Sequence, residues 1–368
     1  MSANLEIRAR DLLATAGIAV GGSQPWDLSV HNPRLYWRVF RLGSLGLGES
    51  YMDGWWDCPR LDLFFERLFA AGLDRLGTRC WPALLLSVRA RLFNPQSTRR
   101  APIVSRRHYD IGNDLFAAML GPQMVYTTGL WEAARNLEEA EVAKLNAVCQ
   151  KLALEPGMRV LDIGCGWGSF ARFAASRYNV QVDGITLSRA QLALGQELCG
   201  TLPVQLHLQD YREAPRALAA CYDRIVSLGM FEHVGARNYR RFFATARRCL
   251  AAAGKMYLST IGSNRSVRST DPWIERYIFP NSHLPSIQQL GTAMEGHFTP
   301  LEWLNWAGDY DRTLMAWHEN FSAGWDKWSR EYGERFCRMW RFYLLSSAAA
   351  FRTRRLQVWQ MLLEPLPS

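Results

Sequence analysis

The most constraining feature of this chain is a short apolar run, residues 160–170, that ends in alternate glycines. Its first residues are branched or apolar and predict the end of a buried strand. Gly164, Gly166 and Gly168 follow, and a helix-forming segment comes directly after them. A strand that turns on glycines into a helix presents backbone N–H groups at the mouth of a pocket and lets a ligand approach the main chain. Because open α/β sheets bind ligands at the carboxyl ends of their strands, this turn predicts a ligand site.

The glycine spacing separates this turn from two other phosphate-binding loops. No Gly-Lys-Ser/Thr follows, so the run is not a phosphate loop. The Gly-x-Gly-x-Gly spacing also lacks the two-residue gap before the last glycine of the dinucleotide fingerprint. Together with Asp162, the run resembles motif I of class I methyltransferases, which bind S-adenosylmethionine. A tight turn without a ligand is the alternative interpretation of the glycines alone.

The composition fits a globular chain of 368 residues, with one large or two unequal domains. No run of about 18 apolar residues occurs, so we expect no membrane span. The N-terminal residues lack the pattern of a secretory signal. The eight cysteines are scattered and form no Cys-x-x-Cys pair. We therefore expect reduced thiols in a cytoplasmic protein, with neither a metal site nor a disulfide framework.

The chain is basic, with a formal net charge of +9, and it contains 15 tryptophans. A basic surface attracts nucleic acid or anionic lipid, and charge alone cannot choose between these partners. An ordinary enzyme surface with excess charge is the third possibility. Tryptophan suits a membrane–water interface but also builds ordinary cores. The Asn-Pro-Pro-Tyr type motif and the Pro-Cys loop of nucleic-acid methyltransferases are missing, so we expect no nucleic-acid partner.

The first 95 residues predict a small, mostly helical unit. Residues 5–16 and 61–71 are amphipathic, and glycines in residues 43–56 predict irregular backbone between them. Residues 89–107 are rich in arginine and predict a linker, which is either a solvated connection or a docking strip for acidic headgroups. We place a domain boundary at residue 100, with a helical and lipid-docking domain over 1–100 and a catalytic domain over 101–368.

From residue 101 onward, apolar strands alternate with helical patterns, which indicates an α/β domain with a doubly wound, mainly parallel sheet. The predicted strands cover 159–163, 180–185, a segment ending at 208, 222–227 and 254–261, with a helix over 239–250. After the second strand, Thr186 and Gln191 offer polar side chains to a ribose, whereas Asp183 comes too early. Asp210 follows the third strand and is placed to accept a hydrogen bond from an adenine amino group. A role in forming the turn is the alternative for these acidic residues.

Longer stretches carry a more specific resemblance: residues 43–56, 108–116, 160–168, 230–235, 271–280 and 309–317. In these stretches the chain is similar to the bacterial cyclopropane-fatty-acyl-phospholipid synthases. The resemblance covers nearly the whole chain, including the N-terminal unit that separates this family from the mycolic acid cyclopropane synthases. It implies a class I methyltransferase fold with a Rossmann-like sheet and S-adenosylmethionine as the cofactor.

The resemblance implies an activity and its partners. The family transfers a methylene group from S-adenosylmethionine across the cis double bond of an acyl chain in a membrane phospholipid. We therefore expect a homodimer peripherally bound to the anionic surface of the inner membrane. Aromatic faces of Tyr310, Trp317 and Phe279 would stabilise a cationic acyl chain. The predicted cofactor-binding residues are Tyr126, Thr127, Asp162, Gly164, Gly166, Gly168, Thr186, Leu187, Gln191, Gln209, Asp210 and Tyr211.

The same resemblance implies a base site at which a bicarbonate ion is held by a cysteine, a glutamate, a histidine, a tyrosine and a main-chain isoleucine. Glu232, Tyr310 and Ile261 match this pattern. Thr128 stands where the cysteine is expected, and Ser259 replaces the histidine. Both hydroxyls can donate hydrogen bonds, but serine cannot carry a positive charge as histidine can.

These departures leave alternatives open. Glu232 is a candidate for the base itself, and His233 is a candidate replacement for the missing histidine, although a structural role at a helix start is the simpler interpretation of His233. At the level of function, the alternatives are a lipid C-methyltransferase that does not close a ring and a lipid-binding homologue without turnover.

Overall fold

The computed structural model describes residues 2–75, 112–218, 221–267 and 270–367. The predicted arginine-rich linker and residues 108–111 lie outside these ranges. Among the helices of the described ranges, none combines the length and the apolar character needed to cross a bilayer.

The predicted parallel sheet is present and contains seven strands. Their bounds are β3 Arg159–Ile163, β4 Gln181–Thr186, β5 Val204–Leu208, β6 Tyr222–Leu228, β7 Leu250–Ser263, β8 Phe298–Asn305 and β9 Leu356–Pro365. The spatial order is β5-β4-β3-β6-β7-β9-β8, and β3 to β7 pair in parallel. The two last strands pair antiparallel to each other. The five strands expected from the sequence are therefore confirmed, with ends that differ by a few residues.

Alternating side chains of the central strands build one core on each face of the sheet. Leu161 and Ile163 pack into the cluster that holds the helix Tyr239–Cys249, while Val160 packs with the helices Leu137–Lys151 and Ser169–Tyr178. This follows from the two-residue period of a strand that is covered on both faces.

The strand order reverses direction at β3. The chain runs outward from β3 through β4 to β5, and then returns to the opposite side of β3 as β6 and β7. At this switch point the connections leave in opposite directions and open a crevice beyond the carboxyl ends of the strands. The crevice lies where the glycine turn after β3 is found.

The chain divides into two compact units, and each is described here by itself. The first is formed by Met1–Phe93, Arg268–Pro280 and Leu314–Leu356, and the second by Asn94–Val267, Asn281–Thr313 and Gln357–Ser368. The second unit holds the seven-stranded sheet with the helices α5 Asn113–Leu120, α6 Leu137–Lys151, α7 Ser169–Tyr178, α8 Arg189–Cys199, α9 Ala214–Ala217, α10 Tyr239–Cys249 and α12 Ile287–Met294. The domain boundary that we place at residue 100 falls outside the described residues and stays a prediction.

The first unit is mostly helical. Its elements are α1 Ser2–Ala14, β1 Ser29–Val30, α2 Arg34–Leu42, α3 Ser44–Met52, β2 Trp56–Asp57, α4 Leu61–Ala70, α11 Pro272–Tyr277, α14 Trp325–Tyr332 and α15 Glu334–Arg352. The residues of α13, Ala307–Ala323, are divided between the two units.

The expectation of irregular backbone over residues 43–56 is wrong, because α3 occupies most of this segment. Its glycines allow close packing instead of a turn. A Cβ atom at Gly46 would lie 2.3 Å from the Arg38 carbonyl oxygen, and one at Gly48 would lie 2.3 Å from the Trp273 ring. Real Cβ contacts are not this short, so both positions require glycine within a helix, despite its low helix propensity.

Candidate active site

The turn after β3 has the backbone that only glycine adopts readily. Gly164, Gly166 and Gly168 have φ angles of 90°, 57° and 77°. The N–H groups of Gly164 and Cys165 donate to the Ile185 carbonyl at 2.9 and 3.1 Å, which ties the turn to β4. A Cβ atom at Gly166 would point into open space, with the Gln191 side-chain nitrogen at 3.8 Å as its nearest neighbour. No side chain therefore covers the main chain of Gly166 on the side of the crevice, so a ligand can approach the backbone closely there.

One cavity at the switch point collects the predicted cofactor-binding residues. Its walls include Tyr126, Thr127, Asp162, Gly164, Gly166, Thr186, Leu187, Gln191, Gln209, Asp210 and Tyr211. Gly168 is also predicted to bind the cofactor, but it does not line this cavity. A Cβ atom there would approach Cys199 Sγ at 3.1 Å and the Leu206 side chain at 3.2 Å, so Gly168 faces the packing of α8 and β5.

Beyond β4, the polar side chains hold one another in place. The Thr186 hydroxyl donates to Gln191 Oε1 at 3.2 Å and accepts from the Ser188 N–H. Ser188 in turn caps α8 by accepting from the Gln191 N–H. The capped start of α8 therefore holds the side-chain amide of Gln191 at the cavity wall. Because the amide oxygen accepts from Thr186, the NH₂ group is the part of Gln191 that can donate to a ligand in the cavity.

Asp210 forms a turn and also lies on the wall of the cavity. Its carboxylate accepts from Arg212 Nε at 2.8 Å, from Arg212 Nη2 at 2.5 Å and from the Arg212 backbone N–H at 2.9 Å. The last contact is the turn-forming hydrogen bond of an aspartate to the backbone two residues on. The same side chain lies on the cavity wall, so the turn presents the carboxylate there with its charge compensated by a buried arginine.

Sequence reasoning missed a buried charged group at the floor of the cavity. Lys144 on α6 lines the cavity and donates from Nζ to the Thr127 hydroxyl at 2.8 Å. Burial lowers the pKa of Lys144 to about 8, raises the pKa of Asp162 to about 7 and raises that of Glu141 to about 9. Lys144 and Asp162 oppose these shifts in each other, since their charges are opposite. Thr127 and Asp162 are therefore both tied electrostatically to one ammonium group.

A signal for this cluster is present in the sequence of α6. Its buried positions are Ala140, Glu141, Lys144, Leu145, Val148 and Cys149. This is the spacing of a helix face that packs against a core. Two charged residues on such a face can be recognised from the sequence as unusual, because lysine and glutamate are seldom fully buried unless they are paired.

Glu232 is the centre of the predicted base site. It lies in a short 3₁₀ turn, Phe231–His233, that follows β6, and its side chain is 5% exposed. Oε1 accepts from the Ile261 N–H of β7 at 2.5 Å, whereas Oε2 is buried and has no hydrogen-bond partner. Burial raises the pKa of Glu232 to about 7, against the opposing effect of the Ile261 N–H. A carboxyl with this pKa exchanges a proton near neutral pH.

The remaining base-site residues are tied to the same edge of the sheet by main-chain contacts. Ser259 is paired with Leu228 at the end of β6, and its carbonyl accepts from the Gly229 N–H at 2.9 Å. A Cβ atom at Gly229 would lie 2.7 Å from Thr127, so the segment carrying Thr127 and Thr128 packs directly on this turn.

The segment after Thr128 is fastened to the helix that carries Tyr310. The Thr313 hydroxyl accepts from the Gly129 N–H at 3.0 Å and from the Trp131 ring N–H at 2.9 Å. The Thr128 hydroxyl itself donates to the Gly129 carbonyl at 2.9 Å. Thr128, Ser259 and Tyr310 are all buried, and Glu232 is held directly by Ile261.

The environment of His233 argues against a positively charged role. His233 lines the cavity, and burial lowers its pKa to about 4. Its ring is therefore neutral at physiological pH and does not replace the charge of the expected histidine. Of the three aromatic residues predicted to face a cation, Tyr310 lies in the second unit, and Trp317 and Phe279 lie in the first.

Comparisons with known proteins agree with the fold. The family model described as mycolic acid cyclopropane synthetase matches residues 96–361. The cyclopropane-fatty-acyl-phospholipid synthase of Escherichia coli strain K12 is 51% identical over 353 residues, covering 96% of this chain and 91% of that protein. The tuberculostearic acid methyltransferase of Mycobacterium tuberculosis is 32% identical over 378 residues, covering 95% and 86%. The crystal structure of mycolic acid cyclopropane synthase CmaA1 complexed with SAH and CTAB superposes with a TM-score of 0.65 at 30% identity, covering 71% of this chain and 97% of that chain.

Proposed function

The chain belongs to the family of the cyclopropane-fatty-acyl-phospholipid synthases, and its residues 96–361 match the mycolic acid cyclopropane synthetase family model. On this premise we propose that it transfers a methylene group from S-adenosylmethionine to the cis double bond of a phospholipid acyl chain. The product is a cyclopropane fatty acyl group. One observation carries the proposal. The cavity wall that contains the glycine turn also contains Met230 and His233, which lie on either side of the buried Glu232 in the chain. A methyl-donor site and a proton acceptor are thus adjacent along one short segment.

The cavity residues fit S-adenosylmethionine. The bare main chain at Gly166 admits the ligand, while Gln191 and Asp210 offer a donor and an acceptor for its ribose and adenine. Thr127, Asp162 and Lys144 offer a hydroxyl and opposite charges for its amino-acid end. When bound, S-adenosylmethionine supplies the electrophilic methyl group that becomes the ring methylene.

The acyl double bond is a weak nucleophile, so the reaction depends on a dry and closely fitting site. Its attack on the sulfonium methyl group would form one carbon–carbon bond, break the sulfur–methyl bond with S-adenosylhomocysteine as the leaving group, and leave a cation on the acyl chain. We assign the next step to Glu232 Oε2, which accepts a proton from the transferred methyl group. The released C–H electron pair forms the second carbon–carbon bond and closes the ring. The π face of Tyr310 would stabilise the intermediate cation.

We propose that ring closure depends on Glu232 itself more than on a bicarbonate ion. Two of the groups that would hold bicarbonate already have partners within the protein. The Thr128 hydroxyl donates to Gly129, and the Ile261 N–H donates to Glu232. Ser259 supplies one further hydroxyl at this site, and no step of this mechanism is routed through an anion.

A second candidate is C-methylation without ring closure. Thr128 and Ser259 at the base site favour it, because loss of the usual proton-accepting site would divert the cation to another product. The similarity to a tuberculostearic acid methyltransferase points in the same direction. Both products contain one added carbon and have the same composition. Only the methylated alkene takes up hydrogen under mild catalytic reduction.

We further propose that the protein acts as a cytoplasmic homodimer bound peripherally to the anionic surface of the inner membrane. The net charge of +9 supports electrostatic binding. A phospholipid acyl chain must also be reached from a bilayer.

The test is mass spectrometry of lipids from cells that make no cyclopropane fatty acids and express either the chain or its Glu232→Gln variant. We expect acyl chains that are one CH₂ heavier and that resist mild hydrogenation in cells that express the native protein. We expect no such acyl chains in cells that express the Glu232→Gln variant. Products that take up hydrogen would support C-methylation instead. Unchanged lipids, with the protein folded and present, would contradict both candidates.

A further inference from the structure

The first unit exposes apolar and basic side chains together on one surface. Ile7 on α1 is 58% exposed, and Trp37 and Phe40 on α2 are 51% and 38% exposed. Arg8 lies over the Phe40 ring at 5.6 Å, and Arg41 lies over the Trp37 ring at 5.0 Å. The first contact joins the two helices, so these side chains form a single surface.

The sequence of α2 explains why these aromatic residues are not in the core. Leu35 and Tyr36 point inward and are buried. Arg34, Trp37 and Arg41 are exposed at i, i+3 and i+7, which is one stripe of a helix. The outward stripe keeps about half of the Trp37 surface in water.

The basic side chains of this surface also lack the partners that neighbouring arginines have. Arg10 pairs with Glu6 at 2.9 Å, and Arg38 pairs with Glu49 and Asp53. Within the described ranges, Arg8, Arg34 and Arg41 have no carboxylate within 4.0 Å. Asp11 on α1 is the acidic residue here without a cationic partner, so the surface has a net positive charge.

We propose that Ile7, Arg8, Arg34, Trp37, Phe40 and Arg41, here called the α1–α2 face, dock the protein on an anionic lipid bilayer. Tryptophan and phenylalanine beside arginine suit the headgroup layer, where the ring enters the apolar boundary and the guanidinium meets phosphate. This inference rests on the proposed function, which requires a bilayer substrate, and assigns the contact to one face. Anionic lipid is the partner because three unpaired arginines, Arg8, Arg34 and Arg41, outnumber the one unpaired aspartate, Asp11, on this surface.

The contributions can be estimated as binding ratios. Each arginine near an anionic bilayer surface changes partitioning about fivefold, so Arg34→Gln with Arg41→Gln should weaken binding roughly twenty- to thirtyfold. Trp37→Ala removes a half-exposed ring and should weaken it about tenfold or more. The effect of the arginine pair should shrink at high salt, whereas that of Trp37→Ala should persist.

The test uses the full chain and vesicles of phosphatidylcholine, alone or with an equal part of phosphatidylglycerol. Binding is measured by sedimentation for the native chain, Trp37→Ala and the double arginine variant. Matched controls remove comparable side chains elsewhere: Ile287→Ala, which replaces a side chain that is 54% exposed, and Arg177→Gln. The inference expects the two face variants to lose binding to the anionic vesicles and the controls to keep it.

Two further readouts separate the possible failures. Turnover is measured with a short-chain unsaturated phospholipid dispersed as monomers, and the face variants should match the native rate within about twofold, because the chemistry lies in the second unit. No turnover by any protein, the native chain included, would reject the proposed function independently of docking. Equal vesicle binding by all four variants and the native chain would overturn the docking inference alone. The docking inference would also be overturned if the face variants changed from dimer to monomer but still bound vesicles, because the α1–α2 face would then join two copies of the chain.

Discussion

Replacing Glu232 by glutamine tests the assignment of the base, because the change keeps the shape of the side chain and removes its charge. Glutamine can still accept from the Ile261 N–H, but it cannot accept a proton at the position of Oε2. General-base catalysis contributes about a hundredfold or more, so we expect turnover to fall by at least that factor. The control is Glu331→Gln, which changes an exposed carboxylate and should leave turnover unchanged.

The pKa of Glu232 sets the pH dependence of both activity and stability. With a pKa of about 7, the carboxyl is about one-tenth ionised at pH 6 and about nine-tenths ionised at pH 8. The native kcat/KM should therefore rise close to tenfold over this interval and then level off. The variant should show a low rate without this rise.

Stability should follow the opposite trend with pH. The folded pKa of about 7 exceeds the ordinary value of 4.5, so folding favours the protonated form of Glu232. The resulting stabilisation is complete below pH 4.5 and is lost as pH rises to about 7. Between pH 5 and pH 8 the native chain should lose about 2 to 3 kcal/mol through this group, and Glu232→Gln should not.

The assay is S-adenosylhomocysteine release across this pH range, together with urea unfolding at pH 5 and pH 8. The reasoning about the base is refuted if Glu232→Gln keeps native turnover. The reasoning about burial is refuted if the two proteins lose stability equally between the two pH values.

Three other predictions concern the cavity and the base site. Gly166→Val should abolish measurable binding of S-adenosylmethionine in calorimetry, because its side chain enters the cavity; unchanged affinity would contradict the cofactor assignment. Lys144→Met removes the donor to Thr127 and should weaken cofactor binding about tenfold, whereas Arg177→Gln should not; equal affinities would show that the ammonium does not act on the cofactor. Ser259→His combined with Thr128→Cys should make turnover faster in added bicarbonate; no gain with or without the ion would show that this chain does not use bicarbonate.

The local part of the fold could be predicted because it depends on short-range patterns. The run into Gly164 and Gly166 fixes a strand, a turn and a helix through apolar periodicity and positive φ angles alone. The predicted cofactor-binding residues that follow β3, β4 and β5 then lie together, because the carboxyl ends of parallel strands meet at one edge of the sheet. Their convergence on one cavity was therefore predictable residue by residue, with the exception of Gly168.

What could not be predicted depends on contacts between distant parts of the chain. Gly48 looks like a turn residue until the Trp273 ring is placed against it, more than two hundred residues later. Lys144 stands on the apolar face of α6, but only its hydrogen bond to Thr127 and its place in the cavity lining assign it to the site. The raised pKa of Glu232 is likewise a consequence of burial, which its sequence neighbours do not specify.

The central claim is that this chain closes a cyclopropane ring by removing a proton from the transferred methyl group. The most direct measurement supplies the purified enzyme with S-adenosylmethionine deuterated in its methyl group and a cis-unsaturated phospholipid, and weighs the lipid product. We expect an acyl chain that carries two deuterium atoms on the added carbon and resists mild hydrogenation. A product that retains all three deuterium atoms and takes up hydrogen would contradict it.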